Sequence, residues 1–262
     1  EVIGLTAGEV AQLNGSKDAG AAEDTPAGTL KPNQKGYRII IDHGDEITVV
    51  CNAHAAPLAV DAYFEAIATS GYCACGGVAF CHAHDPFAEM YRIAEECCES
   101  GKKANRTAQA NAMSSLEGEA AHRAARDANA SYIDFHFCRS GITGTLEQIR
   151  DAQEAAHMAR PYCIGTSYRR FLRVGQILAH SKLQRSDIKE LGRAILKGNS
   201  WYRLAYERLK AKDPVALGGG AIEAIVPDAE MRRRLLFDVT SMWDVFDVRF
   251  ARAEGEEESR GA

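Results

Sequence analysis

The sequence predicts an α+β fold followed by a helical region, and three observations carry that expectation. Two β-branched runs, YRIII and ITVVC, flank a short turn at His43-Gly44-Asp45. Apolar segments then alternate between strand and helix periods as far as Cys138, and beyond Thr145 nearly every segment has the helical period. Up to Cys138 the predicted order is β-β-α-β-α-insert-β, a layer in which helices return across a sheet.

The elements follow from local chemistry. Residues 1–14 have a weakly apolar helical rhythm, and GSKDAGAAEDTPAGTLKPNQKG reads as a flexible connector. The hairpin comes next. Pro57 suits a first helical turn, with Val60, Phe64 and Ile67 on one face behind it. YCACGGVAFCHAH reads as a third strand, in which Gly76-Gly77 marks a bulge or a close backbone approach. Asp85-Pro86 opens a second helix with Phe87, Met90, Ala94, Cys97 and Cys98 on its apolar face, and ESGKKANR is expected to end it. The Ala-rich stretch to about residue 130 is either a helical excursion or a mobile insertion, and SYIDFHFC is a fourth strand.

In the second half, Thr145-Leu-Glu-Gln148 is a capping-box pattern ahead of Ile149, Ala152 and Ala156. Arg160-Pro161-Tyr162-Cys163-Ile164 is a short strand or an extended link. Ser167 and Ser186 are expected as N-caps and Gly198 as a helix stop. Met231, Leu235, Val239, Met242 and Phe246 mark a long last helix before an acidic tail, EGEEESRGA. The expected domains are a palm-like region over 1–158, with 1–36 partly flexible and 105–130 inserted, and a helical region over 159–262. No internal repeat is present.

Composition narrows the function. A chain of 262 residues with 46% apolar content has material for a real core. Its formal charge of −5 argues against holding nucleic acid by bulk electrostatics, although a local basic strip escapes that average. No run reaches the roughly 18 apolar residues of a membrane span, so a cytoplasmic location and no membrane partner are expected. The eight cysteines lie largely in apolar periodic segments, where the thiol behaves as a small core group and a disulfide framework is not expected. The chain begins with Glu1, which suggests a piece of something longer.

Asp45 and Glu46, with Asp42 nearby, are the leading candidate metal ligands, because hard divalent cations take carboxylate oxygens and leave room for water and phosphate. The bland alternative is three solvated turn residues. Lys102 and Arg106 are four apart and so share a helix face, which could neutralise a triphosphate or simply complement a helix end. Cys81-His82-Ala-His84 lacks a second ligand pair, so no zinc is expected, though His82 and His84 share a face near a strand end. Gly218-Gly219-Gly220 reads as a turn. Arg232-Arg233-Arg234 reads as a solvated helix face, with an RNA or partner contact as the minority view.

The runs IIIDHGDEITVVCNAHAAPLAVDAYFEAIA, CACGGVAFCHAHDPFAEMYRIAEECCESGKKANR and SYIDFHF together resemble the second palm domain of the large polymerase-like subunit of type III CRISPR effector complexes, which is related to GGDEF-type nucleotidyl cyclases. The family hairpin reads Gly-Gly-Asp-Asp, where this chain has His43-Gly44-Asp45-Glu46. Cys75-Gly76-Gly77-Val78-Ala79, Pro86-Phe87 and Ser100-Gly101-Lys102 match later family motifs, and Arg160-Pro161-Tyr162 and Ser181-Lys182-Leu183 resemble its helical C-terminal domain. The resemblance covers roughly residues 37–200 and departs from the family at His43, at Glu46 and in the lack of a convincing strand within residues 1–36.

It implies a palm/ferredoxin-like, nucleotidyl cyclase-like sheet. It also implies ATP and Mg²⁺ or Mn²⁺ as ligands, and cyclic oligoadenylate synthesis by two-metal nucleotidyl transfer. Asp45 and Glu46 would be catalytic metal ligands, Gly44 would let the backbone approach the nucleotide, and Lys102 and Arg106 would hold phosphates. Partners would be other effector subunits and, through them, guide and target RNA. Two alternatives stand beside this reading: a degenerate palm serving as a scaffold in a defence ribonucleoprotein, and a GGDEF-type cyclase using GTP.

Overall fold

The computed structural model describes residues 37–138, 144–152 and 155–245. The connector, the acidic tail and Phe246 lie outside them. The protein is α+β, and it divides into two compact units between Tyr72 and Cys73.

In the first unit, β1 (Tyr37–His43) pairs antiparallel with β2 (Glu46–Cys51), from Tyr37 opposite Cys51 to His43 opposite Glu46. The two-residue turn needs a left-handed residue, and Gly44 supplies it with φ 63°. The register shifts between Ile39 and Ile41, an irregularity that the β-branched run gave no sign of. Asn52 caps a short turn over Ala53–Ala55 by accepting from the His54 amide at 2.9 Å. Then α1 (Ala56–Thr69) starts with Pro57 in its first turn, as expected, and buries Phe64.

In the second unit, β3 (Cys75–Phe80) runs parallel to β4 (Tyr132–Phe137), and β5 (Tyr162–Cys163) joins β4 antiparallel, giving the order β3-β4-β5. The described strands thus form two ladders, a hairpin and a small mixed sheet. The crossover from β3 to β4 is α2 (Phe87–Met113) and α3 (Gly118–Asp127). Here the structure corrects the sequence: α2 does not end in ESGKKANR but continues to Met113, 27 residues in all.

Gly101, which looked like part of a stop, is buried where a Cβ would lie 3.3 Å from the Tyr132 Cβ. It brings helix and strand together instead of ending the helix. The Ala-rich stretch is therefore the helical excursion. Asn129 ties it down by accepting from Asn105 at 2.8 Å and Gln109 at 3.3 Å. Gly77 makes a close approach without a bulge, since the β3–β4 register is unbroken through it.

Thr145 and Gln148 form the reciprocal capping pair ahead of α4 (Leu146–Ala152). Ile93 and Cys97 of α2 pack on Leu146 and Ile149 of α4 as one core cluster. Phe135, Tyr162 and Phe171 continue the core toward the helices, with the last two ring centroids 4.9 Å apart.

The helices are α5 (Arg169–His180), α6 (Arg185–Lys197), α7 (Asn199–Lys212), α8 (Ala221–Ile225) and α9 (Ala229–Met242). Neither expected serine cap is one. Ser167 sits in a π-helical turn over Ile164–Tyr168 and bonds Cys163, while α6 is capped by Gln184 in a reciprocal box with Asp187. Gly198 does end α6, with φ 114°. All eight cysteines are free, and no helix among the described residues is long and apolar enough to cross a membrane.

Asp244, just past α9, is held by α6: it accepts from Arg185 Nε at 2.7 Å and lies 2.8 Å from Lys189 Nζ. The Arg185 hydrogen bond, helped by Lys189, lowers its carboxyl to about 2 from 3.8. A depressed acid contributes stability above its unfolded value and loses it as pH falls through the folded one. Asp244→Asn is therefore expected to destabilise at neutral pH, with a loss that shrinks markedly by pH 2. Because Asp244 is nearly half exposed and Arg185 more so, solvent screening holds the loss below about 1 kcal/mol. Urea unfolding at the two pH values checks this.

Candidate functional site

The hairpin places its acids by simple alternation. His43 and Glu46 are directly opposite and share a face, whereas Asp42 pairs with Ile47 and so belongs to the other face. Asp45 occupies the turn. Asp42 is thereby separated from Glu46, and the candidate set contracts to Asp45 and Glu46. All residues from Asp42 to Glu46 are exposed. A Cβ at Gly44 would meet nothing within 4 Å, so the glycine is explained by its positive φ and the turn is open on that side. The two carboxylates are hard oxygen donors that suit Mg²⁺ or Mn²⁺ carrying phosphate. No group of three His, Cys, Asp or Glu able to hold a metal occurs among the described residues.

Lys102 and Arg106 belong to the second unit. They share a face of α2, as their spacing requires, but in mid-helix, so compensation of a helix end is not their role. Both turn to one carboxylate. Lys102 Nζ donates to Glu99 Oε1 at 2.6 Å, and Arg106 Nη2 lies 3.8 Å from Glu99 Oε2. The Lys102 hydrogen bond holds the Glu99 carboxyl below its usual range and, reciprocally, raises Lys102. An incoming phosphate would meet cations already partly neutralised by Glu99.

The other candidates resolve structurally. Cys81, His82 and His84 lie past the end of β3, where the His82 amide donates to Asp85 Oδ2 at 2.8 Å and the two imidazole centroids are 5.3 Å apart. The triple glycine is a turn: Gly220, with φ 74°, leads into α8. The arginine run is not a solvated face. Arg232 donates to the Val226 carbonyl at 2.7 Å, Arg234 to that of Met158 at 2.7 Å, and Arg233 pairs with Glu230.

Sequence reasoning missed two buried acids. Asp134, in the middle of β4, is fully buried and takes both terminal nitrogens of Arg150 at 2.8 Å. Asp238 of α9, equally buried, accepts from the amides of Ala159 and Arg160 and from the Tyr162 hydroxyl at 2.7 Å, with Arg160 Nε 3.6 Å from its other oxygen. Arg160 also lies over the Phe135 ring, 4.5 Å from its centroid. Burial raises the Asp238 carboxyl and lifts the Tyr162 phenol well above its ordinary value. Buried acids often mark active sites, but these two are enclosed and hydrogen-bonded within the core, which is the pattern of architecture. An aspartate in mid-strand within SYIDFHFC was the available signal for the first of them. No family model, curated protein or solved structure significantly matches the chain.

Proposed function

We propose that this chain is a palm-type protein of the kind found in the polymerase-like subunit of type III CRISPR effector complexes, binding ATP with Mg²⁺ or Mn²⁺ through Asp45 and Glu46. One observation carries the reading: two adjacent exposed carboxylates stand at the turn of a hairpin whose strands are rich in β-branched residues. The turn itself requires only Gly44 and a polar neighbour, and Glu46 sets a second carboxylate directly after Asp45. One or two carboxylates with substrate phosphates are the usual Mg²⁺ environment. The bound cation would supply charge neutralisation at the phosphates and activation of a ribose hydroxyl. Cyclic oligoadenylates are the products expected of such a site. The protein would act in the cytoplasm with other effector subunits and, through them, guide and target RNA.

Calorimetric titration of ATP into the full chain with Mn²⁺ tests this. Metal-dependent binding is expected, with loss of at least tenfold in affinity in Asp45→Ala/Glu46→Ala. Equal heats from wild type and the double variant would sink the reading, and preference for GTP would favour the GGDEF-type alternative.

A second reading, a non-catalytic scaffold in a defence ribonucleoprotein, is favoured by a specific observation. Glu99 already occupies both Lys102 and Arg106, and Ile40 and Val50 leave 42% and 46% of their surface exposed on the hairpin strands. Absence of any nucleotide binding together with retained folding would select it.

A further inference from the structure

The helical part of the second unit carries a cleft of about 280 Å³ between α6 and α7. Its floor is Ala194 and Ala205, small enough to leave room for a flat group. Around that floor stand Arg193, Lys197, Arg208, Glu190, Trp201 and Leu204. Trp201 and Leu204 each leave 56% of their surface exposed, an unusual arrangement for large apolar side chains beside a ready-made depression. The cleft wall is strongly biased in charge: three cations face one carboxylate, and that carboxylate, Glu190, is 3.1 Å from Arg208.

Two of the three cations come from a regular spacing along α6. Arg185, Lys189, Arg193 and Lys197 occur at every fourth position of α6, so they rise along one side of the helix at intervals of about 6 Å. Asp244 neutralises the first two. Among the described residues no carboxylate pairs with Arg193 or Lys197. Arg193 bonds the Lys189 carbonyl, and the Lys197 ammonium lies 5.2 Å from the centre of the Trp201 indole.

We infer that this cleft binds single-stranded nucleic acid, with a base stacked at Trp201 and its flanking phosphates on Arg193, Lys197 and Arg208. Charge complementarity selects a polyanion, and the exposed indole selects among polyanions. An acidic peptide matches the cations alone, whereas a nucleotide strand presents flat π-faces and regularly spaced phosphates together. A duplex keeps its bases stacked inside and offers Trp201 nothing. The site is the local basic strip that a chain of net charge −5 can hold, and it is independent of the hairpin reading.

Fluorescence anisotropy of a labelled oligo(U) 12-mer with the full chain tests the site. Binding is expected to weaken with salt at a log–log slope between about −1.4 and −2, as two or three phosphate contacts to a single strand predict. Trp201→Ala is expected to reduce affinity at least fivefold, by the usual value of one base–aromatic stack, and Trp201→Phe to retain most of it. Arg193→Glu should weaken binding severalfold and flatten the salt slope. Arg203→Glu, the same charge change on α7 outside the cleft, should stay within twofold. The inference is overturned if the two charge reversals are equivalent, if Trp201→Ala binds like wild type, if oligo-glutamate or duplex RNA displaces the probe as well as oligo(U) does, or if nothing binds at low salt. The ring and both arginines are exposed, so unchanged thermal midpoints are expected and separate loss of binding from loss of fold.

Discussion

Asp238→Ala is expected to lower the stability of the second unit by about 3–5 kcal/mol, the range for removing one partner of a buried ion pair. Four groups depend on this carboxylate: two backbone amides, the Tyr162 hydroxyl and the Arg160 guanidinium. Alanine removes the shared acceptor from all of them. In thermal unfolding the midpoint should fall by about 10 °C. The double change Arg160→Met/Asp238→Leu removes the stranded charge but leaves the three hydrogen-bond donors unmet, so only part of the loss should return. Full recovery would show that the ion pair alone matters. The pH dependence also has a definite sign. Burial raises this acid above 3.8, so the folded protein holds its proton more tightly than the unfolded chain. Its contribution is therefore greatest below pH 3.8 and declines as pH rises through the raised value, the reverse of Asp244.

Gly77→Ala is the second large effect. A Cβ there would overlap the Ala94 carbonyl oxygen and stand 2.9 Å from the Cys97 Cβ. The obstacle is helix backbone, which has no rotamer to move away, so β3 and α2 must separate along the seam that holds Ile93 and Cys97. A loss of about 3 kcal/mol is expected, at the upper end for overpacking. Gly165→Ala, where a Cβ meets nothing within 4 Å, is the control and should change stability by less than about 1 kcal/mol. Equal denaturation midpoints for the two variants would contradict the close approach.

The parts of this fold that could be read in advance are those encoded by near neighbours. The hairpin is written in β-branched runs around Gly44, the α1 start in Pro57, the α4 cap in Thr145 and Gln148, the end of α6 in Gly198. Misreadings arose where a local signal met a tertiary use. Gly101 and the Lys-Lys pair look like a helix end, yet Tyr132 needs a glycine opposite it and the Ala-rich sequence beyond has the propensity to continue. Ser186 looks like a cap, but Gln184, two residues earlier, takes that task in a reciprocal box with Asp187. Asp134 and Asp238 meet their arginines across 16 and 78 residues, and no window of periodicity spans such distances. For the candidate site, the sequence correctly paired Lys102 with Arg106 on one helix face and placed the acids at the turn. It could not reveal that β-strand alternation sets Asp42 apart, or that Glu99 is already in the cations' company.

That last arrangement makes Glu99 a tethered competitor. Because it is carried on the same helix as the two cations, its local concentration never dilutes, and any free anion contends with it at every encounter. The contest is mild, since exposed pairs of this kind are worth at most about 1 kcal/mol, or roughly fivefold in affinity. A monovalent anion would gain too little at Lys102 and Arg106 to prevail, whereas a polyphosphate of the proposed kind, touching both at once, would. On that reading the helix would filter by valence before any shape is read.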